Sequence, residues 1–101
     1  MRPNIILINC DDLGYGVVVS TSTLTNLTNS GTISGTSVDD GAYGVFVSTS
    51  TLTNLTNTGI ISGTADDDSG YGVNVQVAST LTNLTNSGTI SGTAVDDGGY
   101  G

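Results

Sequence analysis

Residues 52–63 read LTNLTNTGIISG. The same stretch recurs as LTNLTNSGTISG from Leu24 and again from Leu81. Between the copies runs a second shared block, Asp-Asp-x-x-Tyr-Gly, whose Tyr-Gly falls at residues 15, 43, 71 and 100. The spacings are therefore 28, 28 and 29 residues. A fixed period of this length is the signature of a repeat architecture, in which each unit buries its apolar face only against its neighbours. The units are 15–42, 43–70 and 71–99, followed by the start of a fourth.

Within a unit the columns sort by chemistry. The first segment reads YGVVV, YGVFV and YGVNV, with Val17/Val19, Val45/Val47 and Val73/Val75 unchanged and the middle position varying from Val18 to Phe46 to Asn74. Side chains alternate across a strand, so the fixed valines face inward and the middle position faces out. A second strand is expected over residues 23–27 and a third over 32–34, with Ile33, Ile61 and Ile90 pointing in. Gly31 and Gly35 bracket the third strand as expected corners. Leu24 and Leu27 stand three apart, which breaks alternation and requires a bend near Asn26. The extra residue of the third unit lies between Val75 and Ser79, where a loop or bulge is expected. No window carries an i, i+3, i+4, i+7 apolar stripe, so no helix is expected.

Three short strands per unit of about 28 residues build one coil of a parallel β-solenoid, each coil lying about 4.8 Å above the last. The fold class is thus all-β, a parallel β-helix of about three coils, with an N-terminal strand as a partial cap. Identical residues then stack into ladders. Asn26, Asn54 and Asn83 form one asparagine column, and Asn29, Asn57 and Asn86 another. Stacked amides hydrogen-bond along such a column, as in cross-β assemblies; exposed turn residues are the alternative for these asparagines.

Composition narrows the function. The 101 residues hold 15 glycines and nine acids, all Asp, against one basic side chain, Arg2, for a net charge of −8. Nothing is present to neutralise phosphates, which argues against nucleic acid and anionic membrane as partners. Cys10 is the only cysteine, so no internal disulfide forms. It has no His or basic neighbour to activate it and reads as a small buried residue. The longest apolar run, residues 5–8, is too short for a membrane span or a signal-peptide core.

The TNSGTISG runs followed by YG-V resemble the passenger repeats of bacterial autotransporter and related adhesin-like proteins, over residues 15–101. The resemblance implies a right-handed parallel β-helix in a secreted or cell-surface protein, acting as a scaffold for adhesion or display. Its partners would be a surface ligand or further copies through the solenoid edges. The chain stops just after its fourth Tyr-Gly begins, which reads as part of a longer array whose export signal lies elsewhere.

Residues 2–16, RPNIILINCDDLGYG, resemble a different family, the amino-terminal segment of the sulfatases. That resemblance implies a buried strand ending in Asp11 and Asp12 as divalent-cation ligands, usually calcium, a pairing that suits a hard cation. The rest of a sulfatase is missing. The family needs a Cys or Ser in a C-x-P-x-R type signature and several basic residues around the sulfate. Here Pro3 is the only proline, and Val17 stands where the family carries another Asp. The alternative function is therefore a truncated or chimeric sulfatase start, inactive alone. Asp11-Asp12-Leu13-Gly14-Tyr15-Gly16 also aligns with Asp39-Asp40-Gly41-Ala42-Tyr43-Gly44, so residues 1–14 read equally as a diverged first rung.

Further candidate sites follow from the stacking. Asp39, Asp40, Asp67, Asp68, Asp96 and Asp97 come to one edge. Like charges about 4.8 Å apart repel by about 0.9 kcal/mol in water, and calcium between rungs would reverse this. Calcium is thus the one candidate cofactor, while Asp-Asp-Gly is also ordinary solvated turn chemistry. Tyr15, Tyr43, Tyr71 and Tyr100 form an aromatic column beside these turns. Asn26-Leu27-Thr28 and its two copies fit the glycosylation pattern, recurring because the repeat recurs. No catalytic constellation is present, and a non-catalytic structural or adhesive module is expected.

Overall fold

The computed structural model describes residues 14–101. Nine strands of six or seven residues and one short strand fill it, in repeating triplets. The first coil holds β1 (Tyr15–Ser20), β2 (Thr23–Asn29) and β3 (Thr32–Ser37). The second holds β4 (Ala42–Ser48), β5 (Thr51–Asn57) and β6 (Ile60–Ala65). The third holds β7 (Gly70–Val75), β8 (Thr80–Asn86) and β9 (Thr89–Ala94), and β10 (Gly99–Tyr100) opens a fourth.

Every strand pairs in parallel with its counterpart one coil away. The sheets run β1-β4-β7-β10, β2-β5-β8 and β3-β6-β9. The register is that of the repeat: Val17 on Val45 on Val73, Leu24 on Leu52 on Leu81, Ile33 on Ile61 on Ile90. The chain is therefore a β-solenoid of about three coils. A one-residue slip would turn each inward column to solvent, and the near-identical repeats make the in-register stack the one that buries every apolar column.

The core is a single file of these columns. Val17, Val19, Leu24, Leu27, Ile33, Val45, Val47, Leu52, Leu55 and Ile61 form one buried cluster, with Val73, Leu81 and Ile90 packed against it. Each fully buried Val, Leu or Ile contributes about 1.5–3 kcal/mol of hydrophobic stabilisation. The variable position behaves as its variation implies: Val18, Phe46 and Asn74 are only half-buried. In β2 the inward residues are Leu24, Leu27 and Asn29, so alternation resets once over residues 25–26.

Two expectations about the third segment need correction. It runs to Ser37 rather than ending at Ser34, and Gly35 is not a corner but a buried position inside β3. The reason is proximity. A Cβ on Gly35 would sit 2.1 Å from the Tyr43 carbonyl oxygen and 2.4 Å from that of Gly14. The first and third sheets converge here until only a glycine column fits between them. Gly16 has the same origin, since its missing Cβ leaves room for the Ile33 Cγ2 methyl. Gly31 is the corner it was expected to be, lying between β2 and β3.

The remaining corner, between the first and second strands, was not anticipated. Thr21 and Thr49 adopt φ of 52° and 51°, and Ala78 one of 60°. The left-handed region disfavours β-branched residues. The turn is held by a serine column: Ser22 N–H donates to Ser50 Oγ at 3.0 Å, and Ser50 N–H to Ser79 Oγ at 3.3 Å. The inserted residue of the third coil is absorbed between β7 and β8, before Ser79, and Thr80 returns to register opposite Thr51.

Candidate functional site

Both asparagine columns are hydrogen-bonded ladders. On the inside, Asn29 Nδ2 donates to Asn57 Oδ1 at 2.7 Å, and Asn57 Nδ2 to Asn86 Oδ1 at 2.8 Å. On the outside, Asn54 donates to Asn26 at 3.0 Å and Asn83 to Asn54 at 2.9 Å. The inner amides also close the corner between second and third strands. Asn29 donates to the Gly31 and Ile60 carbonyls, and Asn57 to those of Gly59 and Thr89. Inside a dry core an amide is tolerated only when its donors and acceptors are matched. Among the described residues, no buried side-chain polar atom lacks a partner. These asparagines are committed to the fold.

The acidic turns and the tyrosines share one edge. Tyr15, Tyr43, Tyr71 and Tyr100 stack with ring centroids 5.1, 5.1 and 5.0 Å apart and planes within 15°. That spacing is close to the rung separation, so parallel stacking follows from the register rather than from a ring preference. Phe46 packs edge-on against Tyr15 and obliquely against Tyr43, each about 5 Å away. The Tyr43 hydroxyl closes over the turn at Gly41. Burial in the stack pushes the Tyr43 phenol above its ordinary value; the neighbouring Tyr15 and Tyr71 phenols add to this, followed by Asp68 and Asp40.

The Asp turns stack through backbone bonds. Asp67 N–H donates to the Val38 carbonyl at 3.0 Å and Asp96 N–H to that of Asp66 at 3.2 Å. All the carboxylates of Asp39, Asp40, Asp66, Asp67, Asp68, Asp96 and Asp97 are exposed. Asp40 N–H is fixed by Ser37 Oγ, and Asp68 Oδ1 accepts from Ser69 N–H at 2.6 Å. Among the described residues, no group of three or more acidic, Cys or His side chains converges so as to hold a metal ion. The edge can present negative charge and ring edges, and it carries no nucleophile–base pair. Asp11 and Asp12, with Cys10 and the expected first-rung strand, lie outside the described residues.

The serine column at the corner between first and second strands is an ordered feature that the repeat pattern did not bring out. Its signal was available, since Ser-Thr precedes every LTNLTN despite the insertion before Ser79. No family model, curated protein or solved structure matches the chain.

Proposed function

We propose that this chain is a non-catalytic structural and adhesive module of a bacterial surface or secreted protein, extended along the solenoid axis. The observation that supports this reading is the use to which the repeat puts its invariant residues. Val, Leu, Ile, Asn, Ser and Gly columns each have a partner in the coil above or below. What remains free is outward and ordered: a tyrosine ladder, acidic turns and threonine-rich faces. Such a surface suits contact and spacing rather than turnover.

The test is display. Cells of a non-adherent bacterium carrying the chain on their surface gain retention on solid or cellular substrata compared with cells carrying an unrelated domain. No gain overturns the adhesive reading. Hydrolysis of an aryl sulfate by the purified chain overturns the non-catalytic one and returns residues 2–16 to a sulfatase role.

A further inference from the structure

The outward face of the middle sheet, β2-β5-β8, is a lattice of one chemistry. In β2 the residues that point away from the core are Thr23, Thr25, Asn26 and Thr28, beside the inward Leu24, Leu27 and Asn29. The register places Thr51, Asn54 and Thr56 on them in the second coil and Thr80, Asn83 and Thr85 in the third, with Thr53 and Thr82 completing the remaining row. All are exposed or half-buried. Four straight rows of identical side chains result. The asparagine row ties the rungs together through hydrogen bonds of 3.0 and 2.9 Å. The coils superpose with little rotation: on the neighbouring sheet the Tyr15–Tyr43 and Tyr43–Tyr71 ring planes differ by only 10° and 4°.

Strand-forming tendency alone does not account for this face. It would equally accept valine, isoleucine or an aromatic residue, and outward positions of the other two sheets have made such exchanges. Val18 is followed by Phe46 and Asn74, and Thr32 by Ile60 and Thr89. None of the four outward positions of the middle sheet changes in any coil. No charged side chain stands there either, although the chain carries a net charge of −8. The described carboxylates all lie in the turns that lead from the third sheet into the next coil.

The row spacing has a match in solid water. In a tetrahedral network with O–H···O bonds of about 2.75 Å, second-neighbour oxygens lie about 4.5 Å apart. Neighbouring strands stand about 4.8 Å apart, so threonine hydroxyls one coil apart fall close to that repeat. Along the strand, Thr23 and Thr25 are about 6.6 Å apart, against about 7.3 Å between equivalent layers of such a network, so the closer match runs along the rows. A threonine hydroxyl both donates and accepts, and its methyl gains by leaving liquid water. A charged side chain would instead keep its own hydration shell. We infer that the Thr/Asn face of the middle sheet binds the surface of an ice crystal, with the hydroxyl rows continuing the lattice and the methyls seated against it. This inference rests on the fold and stands or falls separately from the adhesive reading.

Partition of the 101-residue chain between a slowly grown ice front and the remaining liquid tests it. The chain is expected to enrich in the ice, while a control protein of similar size is excluded. Thr53→Tyr, at the centre of the face, and independently Thr28→Lys, at an exposed position of it, should lose this enrichment. Thr64→Tyr, exposed on the outward side of β6 in the third sheet, should keep it. Circular dichroism melts of the three variants show that each is folded. Exclusion of the unaltered chain from ice overturns the inference, and its retention on crystalline chitin would then assign the face to a polysaccharide lattice. Enrichment indifferent to both Thr53→Tyr and Thr28→Lys, or lost equally in Thr64→Tyr, also overturns it.

Discussion

Asn29 Nδ2 lies 2.7 Å from Asn57 Oδ1, one coil away, with both side chains buried. The amide of Asn57 in turn donates to Asn86 and to two backbone carbonyls. One side chain thus joins three coils and closes a corner. Asn57→Leu removes these bonds and the buried acceptor of Asn29, whose amide keeps only the Gly31 and Ile60 carbonyls, at a cost of about 2–4 kcal/mol. Asn54→Leu, on the exposed ladder, costs under about 1 kcal/mol, since water replaces the lost bonds. Urea unfolding of the two variants measures the difference.

The glycines divide the same way. A Cβ on Gly63 would meet the Tyr71 carbonyl oxygen at 2.1 Å and that of Ala42 at 2.6 Å, both backbone. Gly63→Ala should destabilise by about 3 kcal/mol or more, because the two sheets must separate to admit it. At Gly31 an added Cβ meets nothing within 4 Å, and its φ is not positive. Gly31→Ala should leave stability unchanged or raise it by up to about 1 kcal/mol through the unfolded chain's lost freedom. Thermal unfolding monitored by circular dichroism separates the two.

How far the fold could be read from sequence follows from these residues. The register needed no structure, since Leu24, Leu52 and Leu81 share a period that only in-register stacking satisfies. Bends were harder, because a bend depends on how closely sheets approach rather than on residue type. Gly35 looked like a corner and is instead the point where two sheets touch. The left-handed corner at Thr21 and Thr49 was hidden because its residue type argues against that conformation. The acidic edge was legible as a location, because the Asp-Asp turns recur with the repeat.

That unexpected corner offers a stabilising change. Thr49 is exposed, with φ of 51°. Asparagine accepts that conformation with less strain than a β-branched residue. Thr49→Asn is expected to add about 0.5–1 kcal/mol. A lower melting temperature for the variant would mean that the threonine makes a contact of its own.

The tyrosine stack sets an alkaline limit. Burial in the stack raises the Tyr43 phenol above the ordinary value of 10.0. The folded chain therefore holds this proton more tightly than the unfolded chain does. Its stability contribution is complete below the unfolded value and is lost as pH rises through the folded one. Melting temperature should fall above pH 10, and Tyr43→Phe should flatten that fall. An equal slope in the variant would remove Tyr43 from the cause.

Charge on the acidic edge gives a salt prediction. Seven exposed Asp residues share the described chain with no Lys or Arg. Added sodium chloride should raise the melting temperature by screening their repulsion. Calcium at matched ionic strength should raise it no further, because the described carboxylates do not converge on a site. A calcium-specific gain of several degrees would show that carboxylates do close around the ion, at this edge or with Asp11 and Asp12.

The central claim is that identical columns stack in order, coil on coil. Methyl-to-methyl nuclear Overhauser contacts among the leucines of one column test it most directly. Leu52 should show contacts to both Leu24 and Leu81, while Leu24 and Leu81 show none to each other. A direct Leu24–Leu81 contact, or a Leu52 that touches only one of them, would contradict the solenoid.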